Sequence, residues 1–194
     1  MTSGRPRATT RETIAEAACE LFLEQGYDAT AVADIARRAG VSRSSYFNYF
    51  DSKADVFWSG LDERIAHFET QLAEHQGEAG FDSLYAALVG ITTDFAPDSL
   101  ALGIVNAAQM RIETELERDK ALRQSRIADL IAESVRRRDV HTVTASIVGA
   151  AYAAAVLAAI EEWAYEGAGR TSLTALLEAA MAVVAPLVDR VTTS

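Results

Sequence analysis

The residues between positions 43 and 49 carry side chains that could read DNA. Five of them supply hydrogen-bond donors and acceptors that suit base edges and phosphate oxygens: Arg43, Ser44, Ser45, Asn48 and Tyr49. On the same predicted helix, Tyr46 and Phe50 are one turn apart and suit the inward face. An exposed row of amide, hydroxyl and aromatic groups has little purpose in packing. The run therefore indicates nucleic-acid binding.

No catalytic or metal-binding arrangement can be identified in the sequence. His67, His75 and His141 lack the spacings of metal ligands, and no Ser/His/Asp or Cys/His pattern is present. Cys19 is the only cysteine, so no internal disulfide can form, and its apolar neighbours favour a buried small hydrophobe. We therefore predict a protein that is not an enzyme and that has neither metal nor cofactor.

The elements that would position the polar run are all predicted to be helices. Apolar residues recur with helical periodicity along the chain, and no stretch alternates as a strand would. The first helix follows Thr9 or Thr10 and has one apolar face, formed by Ile14, Ala18, Leu21 and Phe22. Thr30 is predicted to cap the second helix and Ser42 the third. The fold class is therefore all-α.

The second and third helices have the layout of a helix-turn-helix. Gly40 follows the second helix, where a left-handed backbone is wanted, and Ala36 and Ala39 allow close crossing of the two helices. Ser52 to Asp55 then resembles a capping box that begins a fourth helix. That helix carries an apolar stripe of Trp58, Leu61, Ile65, Phe68 and Leu72. It is long enough to join two halves of the protein.

Five further helices are predicted beyond Gly80. Their approximate ranges are 81 to 95, 99 to 109, 112 to 138, 142 to 166 and 172 to 190. Asp98 is predicted to cap the second of these, and Pro186 is predicted to kink the last. We divide the chain into an N-terminal helix-turn-helix domain, residues 1–55, and a larger helical domain, residues 56–194.

The N-terminal quarter resembles the DNA-binding signature of the TetR family. The resemblance rests on five short stretches: Gly26-Tyr27 through Ala29-Thr30, Asp34-Ile35-Ala36, Ala39-Gly40-Val41-Ser42, Tyr46 through Phe50, and Ser52-Lys53. It spans residues 9 to 57. The resemblance implies a three-helix DNA-binding domain joined by a long helix to a helical domain that binds a small molecule.

The resemblance also implies roles for individual residues. Base or groove contacts fall to Arg43, Ser44, Ser45, Phe47 and Asn48, and phosphate contacts to Thr30, Tyr49 and Lys53. The family often has tyrosine where Phe47 stands, so that ring would contact thymine methyls instead. Arg5 and Arg7 precede the first helix and either reach the DNA or remain on a solvated tail.

The family resemblance implies that the last two helices form a dimer interface. The residues support this independently. The predicted interface consists of close-packing alanines and an apolar stripe, namely Ala151, Ala154, Ala158, Leu173, Leu177, Ala180, Met181 and Val184. One subunit would not bury so long a stripe alone.

An effector pocket is predicted between the DNA-binding and dimerisation helices. Its apolar lining would be Trp58, Leu61, Ile65, Phe68, Tyr85, Leu88, Phe95 and Met110. Its polar anchors would be His67, Asn106, Gln109 and Arg111. For any single one of these residues, core packing is the alternative. The predicted ligand is small and apolar.

Charge is distributed unevenly along this acidic chain. The net charge is −10, yet residues 1–55 carry seven Lys/Arg against eight Asp/Glu, while residues 56–194 carry eleven against twenty. A local cationic face for DNA can therefore coexist with an acidic whole. The N-terminus has no apolar signal region, and the stretch Ser146 to Ile160 is too short to span a membrane. We predict a cytoplasmic protein with no membrane partner.

These features predict a regulator that binds a palindromic double-stranded DNA operator as a homodimer and responds to a ligand. A repressor is the first interpretation. An activator of the same family is one alternative. A helical small-molecule carrier that has lost DNA binding is the other, and the negative net charge is consistent with it.

Overall fold

The computed structural model describes residues 10–74, 82–138 and 140–192, with side chains described from residue 11 to residue 186. Within these residues the chain forms ten α-helices and no strand, which confirms the all-α prediction. The helices are α1 (Thr10–Gln25), α2 (Val32–Arg38), α3 (Arg43–Phe47), α4 (Asp55–Glu74), α5 (Asp82–Thr92), α6 (Ser99–Val105), α7 (Ala107–Met110), α8 (Glu113–Arg136), α9 (Thr142–Tyr165) and α10 (Leu173–Thr192).

The helices group into two compact units. Unit 1 comprises Met1–Ser59 and Asp98–Leu116, and unit 2 comprises Gly60–Pro97 and Glu117–Ser194. Helix α4 contributes residues to both units. In unit 1, α1 packs against α2, α6 and α7. The predicted division after residue 55 did not place α6 and α7 with the N-terminal helices, because nothing local in their sequence signals contact with α1.

The core of unit 1 forms around the inward face of α1. Ile14, Ala18, Leu21 and Phe22 are buried, as their helical spacing predicted. The Phe22 ring lies 5.1 Å from the ring of Tyr27 and 5.4 Å from that of Phe57, measured between centroids. Aromatic packing therefore joins α1 to the loop after it and to the start of α4.

Three of the predicted helix starts are confirmed by their cap hydrogen bonds. The Ser42 hydroxyl accepts from the Ser45 amide at 3.0 Å, and Asp98 accepts from the Leu100 amide at 3.0 Å. Ser52 and Asp55 exchange side-chain and backbone bonds in a capping box. Each cap joins residues two or three positions apart, which is why sequence alone could locate it.

The predicted start of α2 is wrong by one residue. Ala31, not Thr30, is the N-cap, and it makes no side-chain cap bond. The N-terminus of α2 is stabilised in another way: the Asp34 carboxylate accepts a hydrogen bond from the backbone N–H of Ala31 at 3.2 Å. Gly40 follows α2 with φ of 71°, a left-handed conformation that favours glycine and turns the chain toward α3.

The segment predicted as a single helix over 99 to 109 is two helices. It breaks at Asn106, whose side-chain amide donates to the Leu102 carbonyl at 2.9 Å and competes with the regular backbone pattern. α7 then ends at Met110, and the next residue, Arg111, adopts a left-handed conformation with φ of 57°. The Tyr27 amide donates to the Met110 carbonyl at 2.8 Å. This bond ties the end of α7 to the loop after α1.

Unit 2 is organised around the apolar helix α9. α10 packs against both α9 and α5. Gly149 lets α8 approach α9 closely, since a Cβ at that position would overlap the carbonyl oxygen of Ala128. α9 is long and apolar enough to cross a membrane by composition, but 56% of its most apolar window is buried inside the protein. It is therefore read as a core helix.

Charged side chains fasten α4 to its neighbours in unit 2. Arg123 of α8 makes a two-bond ion pair with Asp62, at 3.0 and 2.6 Å. Arg64 donates to the Ile91, Thr93 and Asp94 carbonyls at the end of α5, and its guanidinium carbon lies 4.7 Å from the centre of the Phe95 ring. α10 continues through Pro186 to Thr192. The kink predicted at Pro186 stays a prediction.

Candidate nucleic-acid interface

Helix α3 has one buried side and one exposed side. Tyr46 and Phe50 are buried, as predicted. Phe47 and Tyr49 keep 43% and 41% of their surface exposed, so both rings are accessible to a partner surface. The exposed side also carries Arg43, Ser44 and Asn48, and Ser45 is half-buried. Six of the residues predicted to bind DNA thus lie on one short helix and its C-terminal turn.

Hydrogen bonds of the Ser42 and Tyr46 hydroxyls stabilise α3 and the turn after it. The Ser42 hydroxyl caps the helix and also shares hydrogen bonds of 2.8 Å with the Ser44 and Ser45 hydroxyls. The Tyr46 hydroxyl donates to the Ser52 carbonyl at 3.0 Å. Burial raises the pKa of Tyr46, with the charge of Asp55 as a second cause, so the phenol stays a neutral donor at physiological pH.

Arg43 and Phe47 form a pair on the exposed side. The Arg43 guanidinium carbon lies 5.5 Å from the centre of the Phe47 ring, within cation–π range. The Phe47 ring also packs edge-on against the Tyr46 ring, with 5.4 Å between the ring centroids and 82° between the ring planes. Because Tyr46 is buried, it anchors Phe47, and Phe47 in turn restricts the guanidinium. The pair therefore places the guanidinium N–H donors of Arg43 beside the apolar ring of Phe47.

The Thr30 side chain is not available for the phosphate contact that the family resemblance implied. Thr30 is only 1% exposed, and its hydroxyl donates to the Gly26 carbonyl at 2.8 Å. The same hydroxyl accepts a hydrogen bond from the side-chain amide of Gln25 at 3.2 Å. Both contacts hold the loop between α1 and α2. In this structure the Thr30 side chain therefore stabilises the loop and faces the protein.

Lys53 makes contacts within the protein, and its predicted phosphate contact stays a prediction. Its ammonium donates to the Tyr27 carbonyl at 2.5 Å and to the Thr30 carbonyl at 3.0 Å. It lies 3.8 Å from the centre of the Tyr27 ring. Partial burial lowers the pKa of Lys53, although the charges of Asp28 and Glu115 oppose the shift. Sequence reasoning missed Tyr27 as the partner of Lys53, because 26 residues separate them.

Two further residues predicted to bind DNA, Arg5 and Arg7, fall outside the described residues. Arg11, at the start of α1, was not predicted to take part, yet its guanidinium carbon lies 5.7 Å from the centre of the Phe50 ring. Phe50 is the inward residue that follows α3, so Arg11 packs directly behind the exposed face. Its spacing from Phe50 in the chain offers no signal for this contact.

The predicted effector residues divide between the two units. In unit 1, Trp58 and Met110 are buried, Asn106 is half-buried, and Gln109 and Arg111 are exposed. The Arg111 side chain lies against Gly26, where a Cβ would come within 3.4 Å of its Cδ. Gln109 and Arg111 are thus surface residues of unit 1, and the burial pattern does not place them as anchors inside a pocket.

In unit 2, four of the six apolar members of the predicted pocket are core residues. Leu61, Ile65, Phe68 and Leu88 are buried, and Phe95 packs edge-on against Trp163 at 5.5 Å. His67 and Tyr85 are exposed, so they too are surface side chains. A surface groove of about 570 Å³ lies elsewhere in unit 2 and contains none of the predicted residues. Its lining is mostly charged: Glu69, Leu122, Ser125, Arg126, Asp129, Leu130, Glu133 and Arg136.

Three residues predicted to form the dimer interface belong to the core of a single chain. Leu173, Leu177 and Met181 are buried within unit 2, where α10 packs on α9 and α5. Their side chains face inward, so that part of the prediction is corrected. Ala154 and Ala158 are exposed, and Ala151, Ala180 and Val184 are half-buried. The exposed apolar residues that the prediction omitted include Val143, Ile147 and Val183.

Sequence comparison identifies related proteins of one class. Residues 14–58 match the family model described as bacterial regulatory proteins, tetR family. A Mycobacterium tuberculosis protein, named as a mycofactocin biosynthesis transcriptional regulator, is 30% identical over 96% of this chain and 95% of its own length. The fatty acid metabolism regulator of Bacillus subtilis is 35% identical over 59% of this chain and 53% of its own length.

Solved structures show the same fold. NalD, the secondary repressor of the MexAB-OprM multidrug efflux pump in Pseudomonas aeruginosa, matches with a TM-score of 0.57 and 22% identity, over 89% of this chain and 95% of its own. Thermus thermophilus FadR, solved with lauroyl-CoA, matches with a TM-score of 0.56 and 24% identity, over 89% and 92%. The near full-length similarity to the M. tuberculosis regulator, together with the matched helix-turn-helix, shows that this chain belongs to the TetR family of non-enzymatic, DNA-binding transcriptional regulators.

Proposed function

We propose that this protein is a ligand-responsive repressor that binds a palindromic operator as a homodimer. The observation that carries the proposal is the exposed side of α3, where Arg43, Phe47, Asn48 and Tyr49 are open to solvent while Tyr46 beneath them is buried. A helix of this kind fits the major groove, where its side chains meet base edges. Dimers of such helices read half-sites about one DNA turn, roughly 34 Å, apart.

The outer surface of unit 2 supports the homodimer. Val183 on α10 is 73% exposed, and Val143 and Ile147 on α9 are also exposed. On α9 these valine and isoleucine side chains continue into the exposed Ala154 and Ala158 at helical spacing. Covering such a face with a second copy would remove apolar surface from water, and the alanines would let two helices approach closely.

Two relatives support an apolar effector. Thermus thermophilus FadR was solved with lauroyl-CoA, and the Bacillus subtilis relative is named for fatty acid metabolism. We propose that the effector of this protein is likewise a small molecule with an apolar chain. An activator is the second candidate, because the Mycolicibacterium smegmatis relative FasR is named as a transcriptional activator, at 29% identity over 76% of this chain.

Selection of genomic DNA fragments on the purified protein tests the proposal. The wild type should enrich a palindromic site, and Arg43→Ala should lose that enrichment. Arg118→Ala is the matched control, since it removes another exposed arginine, which is paired with its neighbour Asp119 in unit 2. It should retain the enrichment. If the wild type enriches no sequence, the protein is better explained as a helical carrier of small molecules.

A further inference from the structure

A continuous row of side chains runs from the start of α1 to the exposed side of α3. The Arg11 guanidinium carbon lies 5.7 Å from the centre of the Phe50 ring, and the centres of the Phe50 and Tyr46 rings are 5.4 Å apart. The Tyr46 ring packs against Phe47, and the Arg43 guanidinium carbon lies 5.5 Å from the centre of Phe47. Three aromatic rings therefore join an arginine of α1 to the arginine that is predicted to read bases.

The two inner rings of this row are fixed by burial. Phe50 and Tyr46 are both buried, and the Tyr46 hydroxyl donates a hydrogen bond to the Ser52 carbonyl at 3.0 Å. Side chains in a close-packed core keep one rotamer, because neighbouring atoms leave no room for another, and such a core transmits small displacements. A change at the Arg11 end of the row therefore displaces the rings that follow and is not absorbed by free rotation.

The position of Arg11 is not explained by helix α1 itself. Arg11 lies in the first turn of α1, where the positive end of the helix dipole disfavours a cation. The Nε atom of Arg11 is buried and the residue as a whole is half-buried, so part of the guanidinium lies against the protein. The Phe50 ring supplies an attraction that α1 does not, since the face of an aromatic ring attracts a cation placed over it.

We infer that Arg11 is a positioning residue for DNA recognition: it holds the row of Phe50, Tyr46 and Phe47 from behind and thereby sets the direction of Arg43. The inference rests on the proposed DNA binding and deepens it. The effect of Arg11 on operator affinity requires Arg43 at the other end of the row. An independent contribution of Arg11 would not require it, because residues that act separately contribute additively to the free energy of binding.

A double-mutant cycle with Arg43 tests the inference. Arg11→Met keeps an apolar side chain against Phe50 and removes the charge, so operator affinity should fall about fivefold, as for loss of a cation–ring contact. In an Arg43→Ala background the same substitution should lower affinity by less than about twofold, because the group that the row orients is gone. Gel-shift titrations of the four proteins measure both effects. Equal losses in the two backgrounds, or no loss in the wild-type background, would overturn the inference.

Arg118→Met is the matched control for the lost charge. Arg118 is another exposed arginine, and it pairs with Asp119 in unit 2. Operator affinity should therefore remain that of the wild type in this variant. A fivefold loss here would mean that total charge, and not the row of rings, sets the affinity, and the inference would fail.

A measurement without DNA separates this inference from the proposed function. In the free protein, labelled with an isotope at its phenylalanine rings, Arg11→Met should shift the nuclear magnetic resonance signals of Phe50 and also those of Phe47 further along the row. An unshifted Phe47 signal overturns the inference. A shifted Phe47 signal supports it even if no operator is found, and the missing operator would then count against the proposed function.

Arg64→Met is the matched control for the ring signals. The Arg64 guanidinium carbon lies 4.7 Å from the centre of the Phe95 ring, so unit 2 contains a contact of the same kind. This variant should shift the Phe95 signals and leave those of Phe47 unchanged. A Phe47 shift in Arg64→Met would mean that Phe47 responds to the loss of any cation–ring contact, and the inference would be overturned.

Discussion

The exposed side of α3 combines one guanidinium with one aromatic ring that supports it. Arg43 lies over Phe47, and Phe47 rests edge-on against the buried Tyr46. Guanidinium groups pair with guanine through two parallel hydrogen bonds, and phenyl rings contact thymine methyls. A guanidinium held by a ring loses less freedom on binding than a free one. The pair is therefore suited to reading neighbouring bases.

Replacing Arg43 by Ala should weaken binding mainly at particular base pairs. The expected loss is about 1–3 kcal/mol for the operator, and most of the discrimination at one or two positions should disappear. Gel-shift titrations against single-base operator variants measure both effects. A loss that is equal for every sequence would remove Arg43 from base reading and make it a phosphate contact.

Phe47 should be sensitive to the methyl group of thymine. Phe47→Ala should weaken binding, and replacing the contacted thymine by uracil in the operator should weaken wild-type binding by a similar amount. Combining both changes should cost little more than either alone, because each removes the same apolar contact. Fully additive losses in this cycle would show that Phe47 does not contact a thymine methyl.

Cys19 should be chemically inert in the folded protein. Burial raises the pKa of its thiol to about 11, so at pH 8 only about one thiol in a thousand is ionised, and the thiolate is the reactive form. Alkylation by iodoacetamide at pH 8 should therefore be slow in the native protein and fast in urea. Equal rates in both conditions would contradict the burial of Cys19.

At the level of elements, α10 has one face buried in the subunit and one face exposed to solvent. Its inward face contains Leu173, Leu177 and Met181, which are buried in the subunit. Its outward face carries Val183, which is largely exposed. The apolar stripe in the sequence therefore combined core residues with surface residues. Only the second group is available to a partner subunit.

Val183→Arg and Leu177→Arg should therefore behave differently. Val183→Arg should give a folded monomer, because the charge disrupts only the apolar face proposed to meet the second copy. Leu177→Arg should unfold the chain, because it places an unpaired charge in a fully buried site. Light scattering and thermal melting distinguish these results. A Val183→Arg protein that stays dimeric would place the interface elsewhere.

The crossing of α8 and α9 depends on Gly149. Gly149→Ala should destabilise the protein by about 1–3 kcal/mol, since the new methyl group overlaps the Ala128 carbonyl and one helix must shift. Ser146→Ala, at an exposed position on the same helix, is the control and should change little. Urea denaturation measures the free energy of unfolding in both. Equal stability would mean that the helices separate at no cost.

For the whole molecule, α4 is the element that belongs to both units. Its first residues, Asp55–Ser59, lie in unit 1 with the helix-turn-helix, and the rest lies in unit 2. In unit 2 it is held by the Asp62–Arg123 ion pair and by Arg64 at the end of α5. A ligand that moves these contacts would act on a helix that begins directly after the turn following α3.

An apolar ligand that binds α4 and α5 in unit 2 should therefore release the operator. A hundredfold loss of operator affinity requires the ligand to favour the released state by only about 2.7 kcal/mol. In a Trp163→Phe variant, fluorescence of Trp58 reports on unit 1. A ligand that raises the melting temperature but alters neither this fluorescence nor operator affinity would disprove the coupling.

The sequence alone determined the features that depend on neighbours along the chain. The caps at Ser42 and Asp98, the Ser52–Asp55 box and the inward face of α1 each involve residues within a few positions, and all were confirmed. The same holds for the membership of the TetR family, because the helix-turn-helix motif is a local pattern.

Only the tertiary structure decided the features that depend on distant residues. The ammonium of Lys53 faces carbonyls more than 20 positions away, and Thr30 turns inward because its loop folds onto α1. Leu177 is core, not interface, because α10 packs on helices from other parts of the chain. Periodicity identifies an apolar face, but it cannot tell which surface covers that face, since burial is set by contacts between segments far apart in sequence.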